Sequence, residues 1–140
     1  MDKPNFSGVK ILFQQGLPGF EHLREFDISR PLSDSPLYYL QSTEETEICF
    51  IVLNPFELTK SYEFDLPNSV EDLLEIKNPT DVVVFNIINV RGGLREATVN
   101  LQAPVIINVN ACKGMQVVLN DNAFNVREPL QNILQGKAGK

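Results

Sequence analysis

The sequence predicts an all-β, mainly antiparallel fold: a compact, partly closed barrel or sandwich carrying one or two short helices. Three observations lead there. About eight apolar or alternating runs of strand length follow one another along the chain. Glycine, proline, asparagine and aspartate cluster between them. Short strands at such spacing leave open edges that invite aggregation unless the sheet closes or packs face to face.

The elements follow in order. Val9-Lys10-Ile11-Leu12-Phe13 opens the sheet, and Gly16-Leu17-Pro18-Gly19 turns the chain after it. Arg24-Glu25-Phe26-Asp27-Ile28 alternates polar and apolar, as a half-buried strand does. Leu37-Tyr38-Tyr39-Leu40 and Ile48-Cys49-Phe50-Ile51-Val52-Leu53 are two more strands, joined through the solvated turn Thr43-Glu44-Glu45-Thr46. Val82 through Val90 is long and β-branched, and Gly92-Gly93 supplies the positive φ of a tight hairpin turn before Ala97. Thr98-Val99-Asn100-Leu101, Val105-Ile106-Ile107 and Met115-Gln116-Val117-Val118-Leu119 complete the set. Lys113-Gly114 and Asp121-Asn122 flank the last of these.

One helix is expected near residues 69 to 76. Asn68 or Ser69 caps it, early carboxylates suit its positive end, and Val70, Leu73 and Leu74 form the stripe that seats on the sheet. A short helical turn is expected after Asn54-Pro55. Arg127 to Leu134 adds a C-terminal helix, and about 135 to 140 forms a flexible tail.

The 140 residues are expected to form one domain, 1 to 140. At 43% hydrophobic and 21% charged, the composition is that of an ordinary globular domain. No run approaches ~18 apolar residues, so no membrane partner is expected. Met1-Asp2-Lys3-Pro4-Asn5 lacks the basic-then-apolar order of a secretory signal, and a cytoplasmic location is expected. Asn5-Phe6-Ser7 is then a chance sequon. Cys49 and Cys112 lack metal spacing and read as buried or half-buried thiols.

The net charge of −6 is uneven. Between Glu44 and Glu75 stand nine acids against the single base Lys60, so this stretch carries −8 and the remainder +2. An acidic lobe argues against direct nucleic-acid binding and favours a basic protein partner, or serves only solubility.

Chemistry is scarce. His22 is the only histidine and reads as an exposed loop residue, too little for a zinc site. Glu71 and Glu75 would share a helix face, off the apolar stripe and therefore solvated. Arg91-Gly92-Gly93-Leu94-Arg95 lacks the Gly-Lys-Ser/Thr ending of a phosphate loop. No catalytic group, metal site or cofactor site emerges, and no enzyme is expected.

Phe13-Gln14-Gln15-Gly16-Leu17-Pro18-Gly19-Phe20-Glu21 resembles the N-terminal signature of the FliW family of flagellar assembly factors. Leu40-Gln41-Ser42, an acidic turn and Phe50-Ile51-Val52-Leu53-Asn54-Pro55 are similar to its second block. Thr98 to Asn108 resembles the third, and Gly114 to Leu119 with Arg127-Glu128-Pro129-Leu130 the closing block. The resemblance runs from about Phe13 to Leu130.

That resemblance implies two protein partners: flagellin awaiting export, and CsrA, the RNA-binding repressor of flagellin translation; the chain itself is expected to be a monomer. Export of flagellin frees the protein to capture CsrA and relieve repression. The carboxylates expected to meet basic CsrA are Glu44, Glu45 and Glu47, with Glu71, Asp72 and Glu75 as alternatives. Gln41, Asn54, Asn100 and Gln116 are candidate interface donors, or else satisfy backbone groups at strand ends. The flagellin contact is expected to be apolar. The alternatives are a small-molecule-binding β-barrel or enzyme, and an RNA-binding barrel.

Overall fold

In the computed structural model of the chain, residues 9–30, 34–59, 62–120 and 124–135 are described. Among them nine strands form one sheet. They are β1 (Val9–Leu12), β2 (Glu25–Ser29), β3 (Leu37–Ser42), β4 (Cys49–Leu53), β5 (Val82–Asn89), β6 (Thr98–Val99), β7 (Val105–Asn108), β8 (Lys113–Gln116) and β9 (Glu128–Pro129). Two helices accompany them, α1 (Asn68–Leu73) and α2 (Leu130–Leu134). Asp121, Asn122 and residues 136 to 140 of the expected tail lie outside the described residues.

Strands β1 to β4 form an antiparallel meander, and β4 continues onto β5. β5 pairs with β7 and β7 with β8. β8 returns to β1 in parallel through Leu12 and Lys113, which closes seven strands into a barrel. β6 pairs with the far end of β5 and carries β9 on its other edge.

Alternation along the strands divides the apolar residues into two cores. Phe13, Phe26, Ile28, Tyr38, Phe85, Val105 and Ile107 fill the barrel interior. The opposite faces of β5, β6 and β7 present Val84, Ile88, Val99 and Ile106 to an outer core. There Tyr62, Val70, Leu74, Phe124, Leu130 and Ile133 cover them. All four residues of β7 are therefore buried, which is why its sequence reads as continuously apolar up to Asn108.

Several boundaries differ from expectation. β6 stops at Val99 because the Asn100 side chain accepts the amides of Gln102 and Ala103, which bends the chain before β7. Lys113 and Gly114 lie inside β8 instead of flanking it, and Val117 and Leu119 fall outside it, their amides donating to the carbonyls of Pro104 and Gln102. Gly92 and Gly93 do take positive φ, but a 3₁₀ turn, Leu94–Glu96, follows before β6. Glu128 and Pro129 pair with β6, so the last helix starts only at Leu130. The expected turn after Asn54 is a 3₁₀ helix, Pro55–Glu57.

Helix α1 is capped differently from expectation. Pro67 is its N-cap, with no side-chain capping bond. Leu73 is exposed, leaving Val70 and Leu74 to seat the helix. Its C-terminus is a Schellman ending: Ile76 N–H donates to Glu71 and Glu75 N–H to Asp72, with Glu75 at a φ of 58°. The carboxamide of Asn108 completes it, donating to the carbonyls of Leu74 and Glu75 at 2.8 and 3.1 Å. The same side chain accepts the amides of Asn110 and Ala111, forming the turn into β8.

That turn delivers Gly114 to the barrel seam. A Cβ there would lie 2.7 Å from the Phe13 ring and 3.1 Å from Ile11 Cγ2, both fully buried. Only a hydrogen fits.

Gly114→Ala is expected to cost about 1–3 kcal/mol through overpacking. Adding Phe13→Leu should recover part of that loss, so the two changes combine less than additively in urea unfolding. Asn108→Ala strips partners from four backbone groups at a buried position, each costing roughly 1–3 kcal/mol when unsatisfied. Its unfolding midpoint should fall further than that of Gly114→Ala.

Candidate partner-binding surfaces

The barrel interior is filled, among the described residues, by the side chains of Phe13, Phe26, Tyr38 and Phe85 with their apolar neighbours. Among the described residues, no group of His, Cys, Asp and Glu is arranged to hold a metal ion. No described helix is long and apolar enough to cross a membrane.

The turn between β3 and β4 is held by its own polar groups. Ser42 Oγ accepts the amides of Glu44 and Glu45, and Gln41 Nε2 donates to Thr46 O at 2.6 Å. Its three carboxylates then differ in duty. Glu44 Oε1 accepts the amides of Arg24 and Glu25 at 2.8 and 3.0 Å, fastening the turn to the start of β2. The bonds from Glu25 and then Arg24 hold its carboxyl below the usual range. Glu45 meets exposed His22, with Oε2 3.2 Å from Nε2. Glu47 is exposed and makes no hydrogen bond or ion pair among the described residues.

The carboxylates of α1 form a separate group, and no hydrogen bond or ion pair joins them to the turn. Asp72 is exposed and Glu71 partly buried. Glu75 lies beyond the helix end, so it does not share a helix face with Glu71. It pairs instead with Lys113, whose hydrogen bond lowers its pKa. Glu57, counted in the acidic stretch, is no surface charge. Its side chain is only 13% exposed, accepts the Tyr38 hydroxyl at 3.0 Å and lies 4.0 Å from Arg30. Burial, then Glu57, pushes the Tyr38 phenol up to about 12.

The four polar candidates each make a backbone bond. Gln41 closes its turn, and Asn54 Oδ1 accepts Phe56 N–H to start the 3₁₀ helix. Asn100 makes the bend before β7, and Gln116 Nε2 donates to Ala103 O at 3.0 Å. Both cysteines are exposed, contrary to expectation. Cys49 begins β4 on its outward register, and Cys112 occupies the β7–β8 turn with a φ of 57°.

A feature missed in the sequence is an open cleft of about 1120 Å³ beside α1. Phe56, Tyr62, Phe64 and Val82 line it, with Glu63, Asp65, Glu71 and Lys77. The period-two pattern Tyr62-Glu63-Phe64-Asp65-Leu66 was the available signal.

The family model described as FliW protein matches residues 4–130. The chain is 46% identical over 117 residues to the flagellar assembly factor FliW of Caldicellulosiruptor saccharolyticus, covering 84% of this chain and 76% of that protein. Against the factor of Clostridioides difficile it is 40% identical over 131 residues, covering 94% and 98%. Against that of Bacillus subtilis it is 40% identical over 120 residues, covering 86% and 84%. A crystal structure of the flagellar assembly factor FliW superposes with a TM-score of 0.80 at 31% identity, covering 87% of this chain and 85% of that one.

Glu44 generates a pH-dependent prediction. Its folded pKa lies below the ordinary 4.5, so its stabilisation is full above that value and is lost as pH falls through the lowered one. Glu44→Gln should therefore be less stable than the parent at pH 7, with the gap narrowing at pH 3. Urea unfolding at both pH values measures this.

Proposed function

Since this chain belongs to the FliW family, we propose that it is a flagellar assembly factor that works by holding other proteins and catalyses nothing. In this reading it is a cytoplasmic monomer without a cofactor. It binds flagellin before export and, once released, captures CsrA and lifts repression of flagellin synthesis. Such a switch is mass action between two complexes and needs only comparable affinities. The observation that carries the reading is the family match over residues 4–130.

For the CsrA contact, the geometry favours Glu45 and Glu47. Glu44 is engaged with backbone, whereas these two present charge outward from a turn braced by Ser42 and Gln41. Glu71, Asp72 and Glu75 form the second candidate group. Asn54, Asn100 and Gln116 bond backbone away from that turn and serve the fold there. Opposite charge on a partner speeds encounter and sets orientation.

Glu45→Lys with Glu47→Lys should slow CsrA association by about tenfold while changing dissociation much less. Association of the parent should also slow above ~0.15 M salt, where exposed charges are screened over about 8 Å. Surface plasmon resonance at two salt concentrations measures both effects. Capture at the parental rate would place the contact elsewhere. Titrating CsrA into a preformed flagellin complex by calorimetry tests the switch itself: weaker affinity is expected, and unchanged affinity would refute it.

A further inference from the structure

Tyr62 to Leu66 has the pattern of a strand without a partner. Tyr62 is buried and Phe64 and Leu66 partly so, while Glu63, Asp65 and Pro67 are exposed. That period of two belongs to extended chain on a surface. Yet the backbone groups from Glu63 to Leu66 make no hydrogen bond to any described residue.

This segment lines the cleft beside α1. The cleft's apolar lining includes Phe64, Ile76, Val82 and Leu119, together with Phe56, which is 48% exposed and whose ring centroid is 5.9 Å from that of Tyr62. Three carboxylates, Glu63, Asp65 and Glu71, stand around it against one base, Lys77.

We propose that this cleft docks an extended segment of a partner protein, which adds as a strand along Glu63 to Leu66. Alternate apolar side chains of that segment sit on the aromatic floor, and lysines or arginines between them meet the acidic rim. That backbone, unpaired among the described residues, selects an extended occupant. A helix has already used its own N–H and C=O groups, whereas a strand supplies them in register. The excess of carboxylate selects against an acidic segment. None of these residues belongs to the β3–β4 turn, so the inference stands apart from a CsrA contact at that turn; Glu71 alone is shared with the second candidate group.

The probe is a pool of peptides of about nine residues alternating Lys or Arg with Val, Ile or Phe. Three control pools have the same composition at helical periodicity, Glu in place of the bases, or N-methylated backbone amides. At 0.15 M salt the alternating basic pool should be retained at least about tenfold over each control. The amides of Phe64 or Leu66 should become protected from hydrogen exchange in the complex. Both Phe56→Ala and the pair Glu63→Lys with Asp65→Lys should reduce retention, after circular dichroism confirms that each variant folds. Glu45→Lys with Glu47→Lys should retain the pool as the parent does, which separates this test from that of the CsrA contact. No retention of the alternating pool, equal retention of the helical or N-methylated pool, or indifference to both cleft variants would overturn the proposal.

Discussion

One buried carboxamide holds together parts of the chain that are far apart in sequence. Asn108 is 2% exposed and places both of its donors and its acceptor on backbone. On one side it completes the end of α1, where Glu75 occupies a left-handed position usually taken by glycine. On the other it shapes the turn that sets Lys113 against Leu12 and Gly114 beneath Phe13. Barrel closure and helix docking therefore share a residue. A fully satisfied amide of this kind contributes specificity, since shifting β7 by one residue would leave all four bonds unmade.

Closing and filling the barrel has a consequence for function. With Phe13, Phe26, Tyr38 and Phe85 occupying the interior, recognition falls to turns and to the outer layer. On those surfaces, polar residues divide into those that build and those that face outward. Gln41, Asn54, Asn100, Gln116 and Glu44 build. Glu47 and Asp72 are charges in the same neighbourhoods that carry no backbone bond. Family membership and chemical geometry thus answer different questions: the first concerns the role, the second which side chains are available for it.

The main strands were legible because their alternation is local. Phe26 and Ile28 face inward on β2 wherever its partners lie. Glycine was less transparent. Lys113-Gly114 resembled a turn, yet Gly114 is required by the approach of Phe13, a contact spanning a hundred positions in the chain. The acidic stretch misled in a similar way. Formal charge cannot distinguish Glu57, sealed against Tyr38 and Arg30, from Glu47 in solvent. Cys49 was likewise judged by its apolar neighbours, whereas its exposure follows from which face of β4 it occupies. Tyr62 to Leu66 carried a strand's pattern in plain view, but that it lacks a partner strand among the described residues is a fact of three dimensions only.

The two cores share β5, β6 and β7 but are not equally secured. The inner one is enclosed by a continuous ladder, while the outer one is covered by α1 of six residues, α2 of five and irregular chain. Helices so short do not persist without packing, so this cover forms a cooperative unit that opens at lower free-energy cost than the barrel. Opening it bares Val84, Ile88 and Ile106 to water and to proteases, with the barrel still closed. Anything that grips the cover suppresses that opening. Occupancy of the outer face is thereby converted into lifetime of the chain in the cell.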